Sequence, residues 1–299
     1  MDEMLEWLSN YLGQRVSQER GPGERAKVHH LLERDPAREG GLVRAGAAQR
    51  RAGRARHGLH LILVEDADNL LGHGIADITA AQPLASLVAA SNAEIAIHLA
   101  AQSLVPAGQR DPVGTFAANV MGTVHVLQAA LALPTLKAAL IVTTDKVYAD
   151  PDSGRAFAEG DPLGGTEPYG ASKAAAELAV DAYRAAYAEK RIGLGSARAG
   201  NVIGGGDWSA DRLVPDLVRA LWSGEPAALR NPAAIRPWQH VLDPLAGYLR
   251  YAERLAEDPA NAPSALTFAP SEASARSAID VVDRFVARFN DHPRWKSAG

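Results

Sequence analysis

Two short strings in this 299-residue chain hold the side chains best suited to proton transfer. The first is Thr143-Thr144-Asp145-Lys146-Val147-Tyr148, and the second is Tyr169-Gly170-Ala171-Ser172-Lys173. Tyr169 and Lys173 are four apart, so in a helix that begins at Tyr169 both side chains share one face. An ammonium beside a phenol favours the phenolate, which makes Tyr169 a base able to take a proton from a hydroxyl. Thr144 closes a predicted strand, where an open α/β sheet presents groups to ligand, and its hydroxyl can bond the same substrate oxygen. Tyr-x-x-x-Lys alone is a weak signal, because a surface helix pair gives the same spacing. The strand-end threonine about one helix length upstream is what strengthens it.

Other segments add candidate binding groups. His98-Leu99-Ala100-Ala101-Gln102-Ser103 follows a predicted strand, and its small alanines would let a dinucleotide pass close to the backbone. His98 itself reads equally well as a hydrogen-bonded core histidine. Asn119 lies in the next helix, where Gly122 points to close packing, since glycine in a helix costs about 1 kcal/mol relative to alanine. A strand from Arg198 through Asn201 runs into Gly204-Gly205-Gly206-Asp207-Trp208, either a plain turn or a loop that wraps a substrate. Arg236-Pro237-Trp238-Gln239-His240-Val241 joins a guanidinium that could grip a diphosphate to an indole that could stack on a base or fill core.

These groups need a scaffold. Short apolar runs over Ala93–Leu99, Lys137–Thr143, Ile192–Val202 and Ala265–Ala269 predict strands. Helical spacing marks Phe116–Leu133, Tyr169–Lys190, Leu213–Leu221, Pro244–Leu255 and Ala278–Phe289. Strands alternating with helices imply βαβ units and a parallel sheet covered on both faces. The fold expected from this alternation is α/β with a parallel sheet.

Composition sets the outer limits. With 47% hydrophobic and 22% charged residues the chain has material for an ordinary core, and with no cysteine it is not a disulfide scaffold. No apolar run reaches the roughly 18 residues of a membrane span, and the start lacks a signal-peptide pattern, so the expectation is a cytoplasmic protein without a membrane partner. A net charge of −4 argues against a general nucleic-acid binder. No metal ligation is assigned. The stretch from about Arg15 to Arg56 differs from the rest: it is rich in Arg, Gly and Ala, with five arginines and no acid between Leu42 and Arg56. It reads as loosely structured, or as a basic arm.

Taken together, the strings resemble the extended short-chain dehydrogenases/reductases that act on nucleotide sugars, and within them the CDP-glucose 4,6-dehydratases. Asp145-Lys146, where most related dehydratases carry Asp-Glu, is distinguishing. So are the run from Arg198 to Asp216 and Arg236 through Val241; the resemblance covers about Leu61 to Trp295. It implies that the parallel sheet is Rossmann-like and doubly wound, with a small C-terminal lobe. It also implies NAD as cofactor and CDP-glucose as substrate, with C4 oxidation, loss of water across C5 and C6, and hydride return to C6. Tyr169 would be the base, Lys173 would assist it and hold the nicotinamide ribose, and Thr144 would orient the C4 oxygen. Asp145 would protonate the leaving C6 hydroxyl, while Lys146 stands where a Glu commonly handles the C5 proton. Cofactor contacts are implied for Asp77, Ile78, Leu99, Ala100, Ala101, Gln102, Asn119, Thr143, Tyr169 and Lys173. Substrate contacts are implied for Ser103, Asn201, Arg212, Leu213, Val214, Arg236, Trp238 and His240. The helices around Phe116–Leu133 and Tyr169–Lys190 would form a homodimer.

The chain departs from that family at its start. A glycine-rich turn with G-x-x-G-x-x-G or G-x-G-x-x-G spacing, which would bring backbone N–H groups to the NAD pyrophosphate, does not occur before Ala93. The division expected is an atypical segment over 1–60, a Rossmann-like NAD-binding domain over 61–205 whose first βαβ unit is aberrant or missing, and a truncated substrate lobe over 206–299 that also contributes to the sheet. A frame-shifted gene start is one explanation of the first segment. Two alternatives follow: another NAD-dependent nucleotide-sugar epimerase or dehydratase, or a non-catalytic remnant unable to hold NAD.

Overall fold

A computed structural model describes residues 58–63, 72–149, 155–271, 274–288 and 295–297. The early elements are β1 (Gly58–Leu63), β2 (Gly72–Asp77), α1 (Ala81–Ala89), β3 (Ile95–His98), α2 (Val105–Arg110), α3 (Pro112–Phe116), α4 (Gly122–Leu131) and β4 (Ala138–Val142). Then come α5 (Pro168–Ala186), β5 (Gly193–Ala199), β6 (Val202–Ile203), α6 (Leu213–Ser223), β7 (Ala228–Leu229), β8 (Ile235–Pro237) and β9 (Gln239–His240). The last are α7 (Leu242–Glu257), β10 (Ala265–Phe268), β11 (Ala275–Ser277), α8 (Ala278–Val286) and β12 (Lys296–Ser297). Among the described residues, no helix is long and apolar enough to cross a membrane.

The described chain forms two compact units. One holds residues 58–200 and 242–269, the other 201–241 and 270–297.

In the first unit, β3, β4, β5 and β10 make a parallel sheet in the order β10-β5-β4-β3. The predicted strands over 93–99, 137–143 and 265–269 contain β3, β4 and β10, and that over 192–202 contains β5. Strand β5 is buried along its whole length, and its alternation explains how. Leu194 joins the core formed with Leu127, Ile141 and Val180, beneath α4 and α5. Gly193 and Gly195 point to the other face, where a Cβ on Gly193 would lie 2.1 Å from Leu255 O and one on Gly195 2.4 Å from the Tyr251 hydroxyl. Two glycines two residues apart thus make the bed of α7, and the period of a strand decides which helix each residue meets.

One helix departs clearly from its predicted span, and another was not predicted. The helix expected over 116–133 begins earlier, because Pro112 occupies its first turn and the Asp111 carboxylate accepts from Gly114 N at 2.9 Å. It is also interrupted by a π-helical turn, Ala117–Met121. Gly122 follows that turn, and a Cβ there would lie 2.6 Å from Ile78 Cδ1, which is the close packing its position predicts. Helix α1, without a cap bond or a strong motif, went unpredicted, and it packs on α4 through Leu84 and Val88.

Strand β1 pairs antiparallel with β2, joining Gly58 to Asp77 and Leu63 to Gly72. Residues 1–57 lie outside the described residues, and with them most of the atypical segment and the site of the expected glycine turn.

The second unit is built from two-residue and three-residue strand pairs, β6 with β9, β8 with β11 and β7 with β12. Its core gathers Ile203, Val214, Leu217, Val218, Leu229, Trp238, Val281, Val282 and Phe285, mostly from the inner faces of α6 and α8. A capping box fixes the start of α8, where Ser277 and Asp280 satisfy each other's backbone N–H.

Adding a methyl group at Gly193 would force α7 off the sheet. Gly193→Ala is expected to destabilise the chain by about 1–3 kcal/mol, read as a lower thermal or urea midpoint with the secondary structure retained. An unchanged midpoint would show that α7 can move away without cost.

Candidate active site

The parallel sheet places the carboxyl ends of β3, β4 and β5 on one edge of the first unit, where open α/β sheets bind ligands. The side chains that gather there come from the turns after those strands and from the start of α5. Glu167 caps α5 by accepting from Tyr169 N and Gly170 N, both at 2.8 Å, and Pro168 holds its first turn. Tyr169 therefore stands at the second helical position, one residue past the start expected from sequence, and is buried.

One turn along, Lys173 is 4% exposed and donates from Nζ to Val142 O at 2.9 Å. Val142 is the last residue of β4, so this bond fastens the helix to the strand that delivers Thr143, Thr144, Asp145 and Lys146. Burial pushes the Lys173 ammonium from its ordinary 10.5 down to about 8, against the opposing pull of Glu177. Thr143 and Thr144 are buried. Thr144 donates from Oγ1 to Asp145 Oδ1 at 3.1 Å and accepts from Lys146 N at 3.4 Å, which closes the short turn Asp145–Val147. Asp145 is half-buried and Lys146 exposed.

The turn after β3 is shaped by one asparagine. Asn119, 1% exposed, accepts from Gln102 N at 2.8 Å and donates to Gln102 O at 2.9 Å and to Ser172 Oγ at 2.9 Å. The Gln102 side chain in turn bonds Thr115 Oγ1 and Leu104 N. Ala100, Ala101 and Gln102 are half-buried, while Leu99 and Ser103 are exposed. His98 takes the core option open to it: its Nε2 lies 3.2 Å from Thr123 Oγ1. Burial, with Lys173 nearby, lowers it from 6.5 to about 3 and keeps the imidazole neutral. Ile78 is buried against α4. Asp77 accepts from Thr79 N at 2.9 Å and from Thr79 Oγ1 at 2.7 Å, both through Oδ1.

Beneath these groups lies a set of residues that motif spacing did not single out. Glu177, four residues past Lys173 and 3% exposed, accepts from Thr143 Oγ1, from Ser196 Oγ at 2.6 Å and from Arg198 NH2 at 2.9 Å. Arg198 also donates to Tyr148 OH at 3.2 Å and to Glu159 O at 2.9 Å. Burial works against the Arg198 charge, but its bonds to Glu177 and Tyr148 outweigh it, so its affinity for the proton is raised. The helical stripe Tyr169, Lys173, Glu177 was the available signal. Tyr248 on α7 was also missed; burial, with the Tyr169 phenol nearby, pushes its hydroxyl up to about 12.

The remaining candidates belong to the second unit. Trp238 is 7% exposed in that unit's core, with its indole N–H donating to Arg276 O at 3.1 Å, so it fills core rather than presenting an open stacking face. Val214 is buried and Leu213 packs on the same core. Arg212 is half-buried, its Nε 3.6 Å from Asp207 Oδ2. Arg236 is exposed and donates to Ile235 O at 2.8 Å. Asn201 accepts through its carbonyl from Gln239 N at 3.0 Å, and His240 pairs with Ile203.

A parallel α/β sheet with a buried Tyr-x-x-x-Lys pair against a strand-end threonine defines a class, the Rossmann-like short-chain dehydrogenase/reductase type. Residues 37–263 match the NAD dependent epimerase/dehydratase family, and the chain belongs to that family. The match starts earlier than the motif resemblance, read from Leu61, and ends before Trp295. The chain is 39% identical over 234 residues to the CDP-glucose 4,6-dehydratase of Salmonella typhimurium, covering 76% of this chain and 65% of that enzyme. It thus spans less than two thirds of that relative's length. In fold it is similar to a dTDP-glucose 4,6-dehydratase from Streptomyces venezuelae solved with NAD bound. That likeness has a TM-score of 0.60 and 24% identity, over 75% of this chain and 70% of the other. It is also similar to the UDP-glucose 4-epimerase of Thermotoga maritima, with a TM-score of 0.63 and 17% identity over 74% and 69%.

The lowered Lys173 makes a linkage prediction. Its folded value is near 8 and its unfolded value near 10.5, so across that window the unfolded chain binds the extra proton and stability rises with pH. That contribution is complete above the unfolded value and lost as pH falls through the folded one. Relative to Lys173→Met, the native chain should gain stability in denaturant titrations as pH is raised across the window. Parallel curves would mean that Lys173 titrates as an ordinary lysine.

Proposed function

We propose that this chain is an NAD-dependent nucleotide-sugar 4,6-dehydratase acting on CDP-glucose. The observation that carries the reading is the seating of the buried Lys173 ammonium on Val142 O, two residues before Thr144 and one helical turn from Tyr169. The family membership and the identity to the Salmonella enzyme support the choice of reaction and substrate.

The residues fit the nicotinamide half of the cofactor. Of three N–H donors on Lys173 one is engaged, by Val142 O, which leaves donors in a buried place for ribose hydroxyls. The turn Leu99–Gln102 carries two alanines and a backbone clamped by Asn119, which suits a dinucleotide lying close along it. At the adenine end Asp77 uses only Oδ1 for its Thr79 bonds and, among the described residues, keeps Oδ2 as an acceptor. When bound, NAD supplies the acceptor and later the donor of one hydride. The residues of the chain then have separable tasks. Tyr169 takes the proton of the C4 hydroxyl, and Lys173 stabilises the phenolate that does so. Thr144 Oγ1 orients the same oxygen. Asp145 protonates the departing C6 hydroxyl, and Lys146, exposed at the same turn, takes the C5 proton when it is in its neutral amine form.

A panel of CDP-, UDP- and dTDP-glucose should give the alkali-sensitive 4-keto chromophore with CDP-glucose, and NAD should copurify with the protein. No product from any of the three would refute the reading. Lys146→Ala is expected to lower turnover by about 10²-fold or more while C4 oxidation persists. Deuterium exchange at C5 at the native rate in that variant would remove Lys146 from its task.

The same reading includes a homodimer. Val113, Phe116 and Met121 on the α3–α4 stretch and Leu178 on α5 are exposed apolar side chains, 81%, 39%, 48% and 60% accessible, on the two helices that the family resemblance places at a subunit contact. Light scattering should give twice the chain mass for the native protein and the single mass for Phe116→Glu/Leu178→Glu. A native chain that is monomeric at micromolar concentration would overturn this part.

A further inference from the structure

The Glu177 carboxylate has no part in the proton transfers above, yet it sits on the helix that carries Tyr169 and Lys173 and is bonded to the end of β4 and to β5. It projects from α5, which also carries Tyr169 and Lys173. Its Oε1 accepts from Thr143, the residue before Thr144. Its Oε2 accepts from Ser196 and Arg198, both on the face of β5 that meets α5. Thr143 is further tied to β5 by its N–H, which donates to Ala197 O at 2.7 Å. Side-chain exposure is 3% for Glu177 and 5% for Arg198.

A buried ion pair of this kind is a poor source of stability. Desolvating both charges costs about as much as their attraction returns, and apolar replacements are often equally stable. What a fully bonded buried carboxylate does well is fix geometry, because each of its donors has one low-energy place. The network reaches outward as well: Arg198 holds Tyr148 OH, which lies 2.8 Å from Thr267 Oγ1, and Glu159 Oε1 accepts from Thr267 N at 2.7 Å. From one side chain the bonds run to β4, β5 and β10.

We infer that Glu177 is a positioning residue for the proposed reaction, holding Lys173 of α5 and the Thr143–Thr144 end of β4 in one geometry and serving as the counter-charge of the buried ammonium. The inference rests on the reading of Tyr169, Lys173 and Thr144 as the reacting set. Around Lys173 the other ionisable groups are neutral His98 at the end of β3, Tyr169 and Glu177 on α5, Arg198 on β5, and Asp145 and Lys146 on the turn packed against α5. Glu177 raises the proton affinity of Lys173, whereas burial lowers it. Removing its charge leaves Arg198 unopposed, and both changes drive Lys173 toward the neutral amine.

The test compares Glu177→Gln and Glu177→Asp with the native protein. In Glu177→Gln, kcat for CDP-glucose should fall at least about 10-fold with KM within about threefold, and the alkaline limb of the pH profile should move to lower pH by about one unit. Glu177→Asp keeps the charge and loses the reach, so its kcat should fall with the alkaline limb in place. A readout independent of turnover is the titration of Lys173 by NMR in lysine-labelled protein, assigned with Lys173→Arg; its midpoint should drop in Glu177→Gln. Because Glu177→Gln strands a buried arginine, Glu177→Gln/Arg198→Gln serves as the folding control and should keep the kcat loss. Native kcat in the double variant, or an unmoved limb and midpoint in Glu177→Gln, would overturn the inference. A native chain that turns over no nucleotide sugar would refute the functional reading instead, and the NMR titration would still decide the role of Glu177.

Discussion

The bond from Lys173 Nζ to Val142 O sets the terms on which the rest of the first unit is arranged. An ammonium with 4% exposure is costly in an apolar interior, and it is tolerable only because a strand-end carbonyl accepts from it and a carboxylate lies one turn away. The carbonyl is there because β4 ends at Val142, whose C=O accepts from Lys173 Nζ. The carboxylate is there because α5 runs on uninterrupted past Glu177. Shift the helix by one residue and the carbonyl, the carboxylate and the phenol all lose their places together.

Strand β5 meets that constraint from the other side. Leu194, Ser196 and Arg198 look toward α5, in the order apolar, hydroxyl, charge, so polarity increases toward the end where ligands bind. Gly193 and Gly195 look toward α7. A strand with no exposed residue thus carries an apolar floor, a hydrogen-bond ladder and a helix bed, all within seven residues.

Much of this was readable from residue order. The runs around Ile97, Leu140 and Ala197 have the length and β-branched or small content of buried strands. The Tyr169–Lys173 pair, Asn119 and the strand-end threonines were visible for the same reason, since their meaning depends on spacing within one or two elements. The pairing of Glu177 with Arg198 was not, because the two lie 21 residues apart and meet only when α5 packs on β5. Trp238 shows the limit from the opposite direction: indole and neighbouring arginine suit both a binding site and a core, and only the packing of α6 and α8 around it decides. The short paired strands of the second unit, two or three residues each, are below the length at which periodicity carries information.

The π-helical turn Ala117–Met121 has a consequence for how this molecule can change over time. Such a turn takes one residue more than a regular helix, so the residues on either side of it are rotated by about 100° relative to an unbroken helix. Asn119, inside the turn, is thereby aimed at Gln102 and Ser172, while Phe116 and Met121 at its borders stay exposed. Losing a single residue there would restore the regular helix and swing one side against the other. The turn therefore works as a register lock, in which the inward loop-shaping asparagine and the outward apolar side are kept in phase by a one-residue insertion.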